Sequence, residues 1–298
     1  MKRALPVLVA LMTFPVILSA QVIEGAGRYT YERHYTVGER MEYELRTRRK
    51  LEIGERVTRS AAVARSEHLV ALKGEIPHEV VAWLTYRKLP DGAARDVSDL
   101  GPSTVSLHSG GQTEMAKPAG DPAMLGMVTD LVTFYVAVGP KSGITRLEQE
   151  GDRAMGEPVT GDWSDGETFP LGQDKLAVEI EMTGLSEKQV YFETRFRPPA
   201  ETSLEAYRPW MKAPVCGDTP NNWQMVRRQP NGYLAAWGCE EFTVRSTVDR
   251  ETGRILRATM SNDVARAVRF CADEELSACQ PTPQMREHRD LELVLLHP

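Results

Sequence analysis

The chain reads as a mainly β protein: a long curved antiparallel sheet, or half-barrel, with one covering helix at about residues 121–139. Three features carry that expectation. Long runs alternate apolar and polar residues, turn-forming clusters separate consecutive runs, and a single segment has a helical repeat. A continuous sheet is the organisation expected, and a subdivision near residues 145–150 is the alternative.

The first strand is the clearest. From Met41 to Ile53 the odd positions hold Met41, Tyr43, Leu45, Thr47, Arg49, Leu51 and Ile53, while the even positions are all Glu, Arg or Lys. Period-two alternation is a strand with one wet face, and one-sided burial favours antiparallel pairing. Arg46-Thr47-Arg48-Arg49-Lys50 is then the solvated side of that strand rather than a basic recognition patch. Glu79 to Arg87 forms a second run. Leu176–Met182 and Gln189–Arg197 make a hairpin, as do Glu241–Asp249 and Arg254–Met260, where Gly253 offers a left-handed turn residue. Val105–Met115 predicts a further hairpin turning at Ser109-Gly110-Gly111. Asp290–Leu296 closes the chain with Leu291, Leu293 and Leu295 on one face. Connected in order, these strands predict a meander.

The helix starts at Asp121-Pro122 and stops at Gly139-Pro140. Between them Met124, Met127, Val128, Leu131, Phe134, Tyr135 and Val138 recur at three- and four-residue steps, giving a broad apolar face, with Thr129 and Asp130 expected on the other side. One apolar helix beside a one-sided sheet predicts that the helix covers the concave face. A short helical turn is expected at Asp273–Ala278.

The N-terminus supplies an address. Lys2 and Arg3 precede an apolar run from Ala4 to Leu18, and Ser19-Ala20 precede Gln21, the pattern of a secretory signal peptide over residues 1–20. A retained anchor is the rival reading, but a span needs about 20 apolar residues. The exported domain is then residues 21–298, periplasmic or extracellular, with no stable membrane span after cleavage. Losing Lys2 and Arg3 leaves 34 basic and 42 acidic side chains, a charge of −8. Such an acidic chain does not bind nucleic acid through its overall field.

The four cysteines, Cys216, Cys239, Cys271 and Cys279, all lie in the last third. An even number in an exported chain predicts disulfides, and the local pairing Cys216–Cys239 with Cys271–Cys279 is favoured among the three pairings. Zinc is the competing use, and no CxxC or clustered histidine spacing supports it.

Residues with chemistry are sparse. No HExxH, GxSxG, P-loop or dinucleotide motif occurs, and no cofactor is expected. The six histidines read as surface or loop residues. Asp162, Asp165 and Glu167 form the densest acidic cluster and make a weak calcium candidate, but Gly166 is misplaced for an EF-hand and an Asp-Gly turn explains the same letters. Trp210, Trp223, Tyr233 and Trp237 lie close in sequence and either line a ligand site or fill a disulfide-stapled core. With Met124, Met127, Leu131 and Phe134 of the helix, Trp210, Trp223 and Trp237 are the candidate ligand-binding residues.

Two segments resemble known proteins. Tyr35-Thr36-Val37-Gly38-Glu39-Arg40-Met41-Glu42-Tyr43 looks like the opening strand of poorly characterised exported bacterial β-rich proteins. Ser246 to Leu256, continuing into Ala258-Thr259-Met260, is similar to hairpins of the periplasmic lipoprotein-carrier-like half-barrels. The resemblance implies a curved antiparallel sheet with a helix plugging an apolar cavity, and it transfers no catalytic residue. The function expected first is a non-enzymatic exported binding or carrier protein for a lipid or hydrophobic small molecule, with residues 121–139 as cover. Charge on both walls of the groove would contradict it. The alternatives are a structural or envelope-interaction protein with a long unprotected strand edge, and a secreted hydrolase joining Asp162 or Asp165 to a histidine.

Overall fold

The computed structural model describes residues 28–106, 122–139, 142–156, 178–196, 208–212 and 222–297. The first half contributes β1 (Arg40–Ile53), β2 (Arg56–Lys73), β3 (Ile76–Leu89), β4 (Arg95–Asp96), β5 (Ser103–Ser106), α1 (Pro122–Ala137) and β6 (Arg153–Met155). The second half contributes β7 (Val178–Leu185), β8 (Gln189–Phe196), β9 (Asn222–Gln229), β10 (Gly232–Asp249), β11 (Ile255–Cys271), β12 (Cys279–Pro281) and β13 (Met285–His297). The predicted hairpin at Val105–Met115 lies largely outside the described residues.

All thirteen described strands belong to one antiparallel sheet; ten follow the order β4-β3-β2-β1-β13-β11-β10-β8-β7-β6, and β5 pairs β3, β9 pairs β10 and β12 pairs β11 beside it. Strands on both sides of residues 145–150 join it. The sheet is open rather than closed into a barrel. The expected alternation, the two hairpins and the single helix are all present. The plain meander fails at the centre, where β13 inserts between β1 and β11 and joins the two ends of the chain. That pairing is non-local, so no turn signal announces it.

Period two sorts the side chains cleanly. One face, here called inner, carries Met41, Tyr43 and Leu45 of β1, Ala62, Ala64 and Val70 of β2, Met260 of β11, Phe242 and Val244 of β10, and Leu291 and Leu293 of β13, all buried in the main core. Helix α1 lies on this face and buries Met124, Met127, Leu131 and Phe134 there. The segment before β1 runs across the β10–β11 turn, with His34 N–H donating to the Thr252 carbonyl. Gly253 in that turn has φ +69°, and a Cβ there would stand 2.4 Å from the Glu32 carbonyl oxygen, so the turn needs glycine twice over.

The outer face is polar. Arg65, Glu44, Arg46, Glu292 and Arg257 form an unbroken run of ion pairs across β2, β1, β13 and β11. Arg245, Glu193, Arg195, Glu181 and Arg153 continue the pattern across β10, β8, β7 and β6. Exposed pairs contribute about 0–1 kcal/mol each, so they keep the face wet more than they hold the sheet together. A second, smaller core lies on this side, where Met211, Trp237, Ala267, Cys271 and Leu276 pack with Trp210 and Tyr233.

The turn at Asp273–Ala278 is not the expected helix. The Asp273 carboxylate accepts from the Ser277 and Ala278 backbone N–H groups, closing a compact loop that the Cys271–Cys279 disulfide staples. Cys239 is also disulfide-bonded, and Cys216 lies outside the described residues. By loop-closure entropy the Cys271–Cys279 bridge contributes about 2.5 kcal/mol. Replacing both cysteines by serine is expected to lower the unfolding free energy by that amount in a urea titration, while the whole chain keeps its β signature by circular dichroism.

Candidate functional site

Two buried polar networks sit on the inner face and tie α1 to the sheet. The first is built on Asp130. The helical step from Met127 to Asp130 to Phe134 puts this residue on the same stripe as the apolar ones, contrary to its expected place on the opposite side. Its carboxylate meets Arg289 of β13, with Nη1 to Oδ1 at 3.0 Å. The Arg289 guanidinium also donates to Asn262 Oδ1 of β11, and Asn262 donates to Glu240 Oε1 of β10 at 2.8 Å. Glu287, next on the inner face of β13, takes a hydrogen bond from Arg49 of β1 at 3.0 Å. All of these except Arg49 are buried. Asp130 is the sole charged residue of α1 and meets an arginine that strand alternation aims inward.

Burial pushes the Asp130 carboxyl up to about 6, overriding the lowering effect of Arg289. Its ordinary value is 3.8, so between these pH values the folded chain holds a proton that the unfolded chain has released. This contribution to stability is fully present below pH 3.8 and lost as pH rises through about 6. Denaturant titrations over that window are expected to show the native chain losing on the order of 3 kcal/mol relative to Asp130→Asn. Parallel pH curves for the two proteins would refute the assignment.

The second network is built on Glu79 of β3. Its carboxylate receives hydrogen bonds from the Tyr135 hydroxyl of α1, from His68 Nδ1 of β2 at 3.2 Å and from Arg33 at 3.3 Å. Arg33 also reaches Glu39 at 3.1 Å, and Arg254 meets the same Glu39 oxygen at 3.0 Å. His68 Nε2 lies 3.0 Å from Ser66 Oγ, and the Tyr43 ring packs 4.6 Å from the imidazole. Burial raises the Glu79 carboxyl, but the hydrogen bond and charge of His68, then Arg33 and Tyr135, outweigh it and hold the group below the usual carboxylate range. Burial and the Glu79 charge push the Tyr135 hydroxyl well above its ordinary value, so it remains a donor.

Ser66, His68 and Glu79 have the order of a serine–histidine–carboxylate relay. Ser66 is 1% exposed and His68 0%, beneath Tyr135, so no substrate carbonyl can reach the hydroxyl in this arrangement. The three groups act here as an anchor for the helix. Neither network is visible as a motif, because its members come from different strands. Parity is the signal that finds them: Ser66 and His68 share the inner parity of Ala62, Ala64 and Val70, and Arg289 shares that of Leu291 and Leu293.

The expected ligand-binding residues do not form one site. Met124, Met127, Leu131 and Phe134 pack on the inner face. Trp210 and Trp237 pack together on the outer face, ring centroids 5.1 Å apart, with the Arg269 guanidinium 4.4 Å from the Trp210 ring. The Trp223 side chain and Asp162, Asp165 and Glu167 lie outside the described residues. Among the described residues no cluster of His, Cys, Asp or Glu is arranged to hold a metal ion.

An outer-face cleft of about 380 Å³ is lined by Lys50, Glu52, Glu241, Asp263, Arg286 and His288. There His288 is held between Asp263 at 2.8 Å and Asp290 at 3.2 Å, and the Asp263 hydrogen bond leads in raising its pKa. Charged side chains rim the cleft, and Cys239, Val264 and Ala265 complete its lining. It has the chemistry of the solvated face around it.

No protein-family profile matches the chain, and no curated protein matches it. Among solved structures, the outer membrane protein OprD from Pseudomonas aeruginosa overlaps 88% of this chain and 64% of its own, at 10% identity and a TM-score of 0.20. An outer membrane channel from Pseudomonas putida F1 overlaps 89% and 97%, at 8% identity and a TM-score of 0.20. The Pseudomonas aeruginosa MucA/MucB complex overlaps 85% and 88%, at 10% identity and a TM-score of 0.12. Likenesses this slight carry no argument. Among the described residues no helix is long and apolar enough to cross a membrane. The outer face carries rows of Arg and Glu where a lipid-facing barrel carries an apolar band.

Proposed function

We propose that the chain is an exported, non-enzymatic binding protein whose ligand site is the inner face of the sheet, with α1 occupying that face in the closed state. The observation that carries this reading is the pairing of α1 with an open sheet. A helix of 16 residues, charged only at Asp130, lays its apolar stripe on a single sheet face and is fastened by two polar anchors. Buried ion pairs add little net stability compared with apolar packing, and their best-attested role is to specify one arrangement. A cover fixed in this way has a defined closed position.

The same networks put charge on both walls of the groove, the outcome stated above to contradict a carrier for a wholly apolar molecule, and that form of the reading is given up. Charge stands on both flanks of α1, at Arg289, Glu287 and Glu240 on one side and at Glu79 and Arg33 on the other. The ligand class this favours is an amphiphile, with an apolar body and a polar end, rather than a purely apolar molecule. The structural alternative requires a long bare edge. Here short β4 and β5 lie against β3, and β6 against β7, which blunts the described edges.

Export rests on residues 1–20 and on the oxidised cysteines. The test is native mass spectrometry of the full chain purified gently from the exported fraction. The reading expects loss of residues 1–20 and an added mass that organic solvent strips off. A bare mass, with no uptake from a mixture of lipids and fatty acids, would overturn it.

A further inference from the structure

We propose that residues 28–34 are a latch for α1: this N-terminal strap and the last turn of the helix share their anchors on β3 and β8 and release together. On the sheet path β2, β1, β13, β11 and β10 stand between β3 and β8. At about 4.8 Å per strand spacing, the arc between them is on the order of 30 Å. Two short stretches of chain bridge it across the inner face. In the strap, Arg33 Nη2 donates to Glu79 Oε1 of β3 at 3.3 Å. Two residues away, the Tyr31 ring meets Phe192 of β8 edge-on, with centroids 6.2 Å apart. In α1, the Tyr135 hydroxyl donates to Glu79 Oε2, and two residues on the Ala137 carbonyl accepts from Thr194 Oγ1 of β8 at 3.1 Å. Phe192 and Thr194 are both buried and share one face of β8 by parity. The strap and the end of the helix therefore pull on the same carboxylate and the same strand face.

Each contact conditions the other. Arg33 and Arg254 stand against Glu39 and Glu79, with Arg33 between the two carboxylates and Arg254 on Glu39. The Arg33 and Glu79 side chains are 10% and 3% exposed, so water does not replace a lost partner. Without Arg33, two carboxylates face one arginine, and Glu79 keeps His68 and Tyr135. A buried carboxylate in that position takes up a proton or turns away. The bond from Tyr135 then loses its charge assistance, which is about half its strength. Coupling of this kind is reciprocal, so loss of the Tyr135 hydroxyl loosens Arg33 as well. The rest of the strap is pinned by the Tyr29 N–H on the Glu148 carbonyl at 2.8 Å, the His34 N–H on the Thr252 carbonyl at 3.0 Å and the Tyr31 hydroxyl on the Gly253 carbonyl at 3.2 Å. Displacing residues 28–34 thus unlocks α1 without any change in the helix itself.

Hydrogen exchange of the full chain, read by mass spectrometry with no ligand added, tests the latch. Arg33→Gln and Tyr135→Phe are each expected to speed exchange about tenfold in both residues 28–34 and residues 122–137, the scale of one hydrogen bond to a charged group. Residues 285–297 should keep their protection. Arg33→Lys returns a positive charge to Glu79 and should recover part of the protection of residues 122–137. Arg28→Gln breaks an exposed pair with Glu148 and should leave both segments unchanged. Faster exchange confined to residues 28–34 in Arg33→Gln, or spread evenly over the sheet, would overturn the latch, as would an equal effect from Arg28→Gln. If Arg33→Gln does not fold, Tyr135→Phe decides alone, and native exchange at residues 28–34 in that variant would overturn it. Because no ligand enters the measurement, its failure leaves the binding reading standing, and failure of ligand uptake leaves the latch standing.

Discussion

Arg289→Met is expected to lower the unfolding free energy by about 3–5 kcal/mol, the cost of breaking a buried pair by removing one partner. Arg289 Nη1 holds the Asp130 carboxylate at 3.0 Å, and both side chains are less than a tenth exposed. Without the guanidinium, Asp130 is left buried beside Glu287 with no hydrogen-bonding cation. It must either take a proton or drag α1 toward water, and both routes cost stability. Asn262 loses the donor that fills its Oδ1 as well. The double variant Asp130→Leu with Arg289→Met is expected to recover most of the loss, because both charges leave together and Glu287 keeps Arg49. A guanidinium chloride titration of the three proteins reads this directly. A single-variant loss below about 1 kcal/mol would mean that Arg289 does not hold the helix.

Glu79→Ala is the second large effect, also expected at about 3–5 kcal/mol. Glu79 is the acceptor on which Tyr135, His68 and Arg33 converge, so its removal takes a buried charged partner from three separate segments, leaving Arg33 with Glu39 and the Tyr135 hydroxyl with His68 Nδ1 at 2.9 Å. Tyr135→Phe removes only one donor and is expected to cost about 1–2 kcal/mol. The two changes are coupled. In the Glu79→Ala background the Tyr135→Phe cost should fall, the remainder belonging to the His68 Nδ1 contact, and a double-mutant cycle by denaturant titration measures that difference. Additive costs would show that the hydroxyl owes its contribution to something other than Glu79. Since the Glu79 carboxyl lies below its ordinary range, its contribution is present above the unfolded-state pKa and is lost as pH falls through the folded-state value. Its sign is thus opposite to that of Asp130.

Local patterns made much of the fold legible. β1 is legible from strict alternation, α1 from three- and four-residue steps between Asp121-Pro122 and Gly139-Pro140, and the β10–β11 hairpin from Gly253. Each of these is decided within a few residues by backbone geometry and a single solvated face. The insertion of β13 between β1 and β11 is decided by contacts more than 200 residues apart, and no local signal encodes it. Residue type alone puts Asp130 on the polar side of the helix, where it does not lie. Its angular position, one helical turn from Met127 and Phe134, is the better guide. His68, which reads with the other histidines as a surface or loop residue, is buried instead. Its parity with Ala64 and Val70 carries the real information, and Glu79 becomes its partner only once β2 and β3 are in register. The acidic cluster at Asp162, Asp165 and Glu167 drew notice by density alone, whereas the networks that hold α1 use residues spread from Arg33 to Arg289.

The central claim is that α1 yields the inner face to a ligand. Hydrogen exchange of the amides in residues 122–137, measured by mass spectrometry with and without a saturating long-chain carboxylate, tests it most directly. The account expects these amides to lose protection when the amphiphile binds, while residues 285–297 remain protected in the sheet. Bound carboxylate with unchanged or increased protection across residues 122–137 would contradict it, because the helix would then be a fixed part of the core.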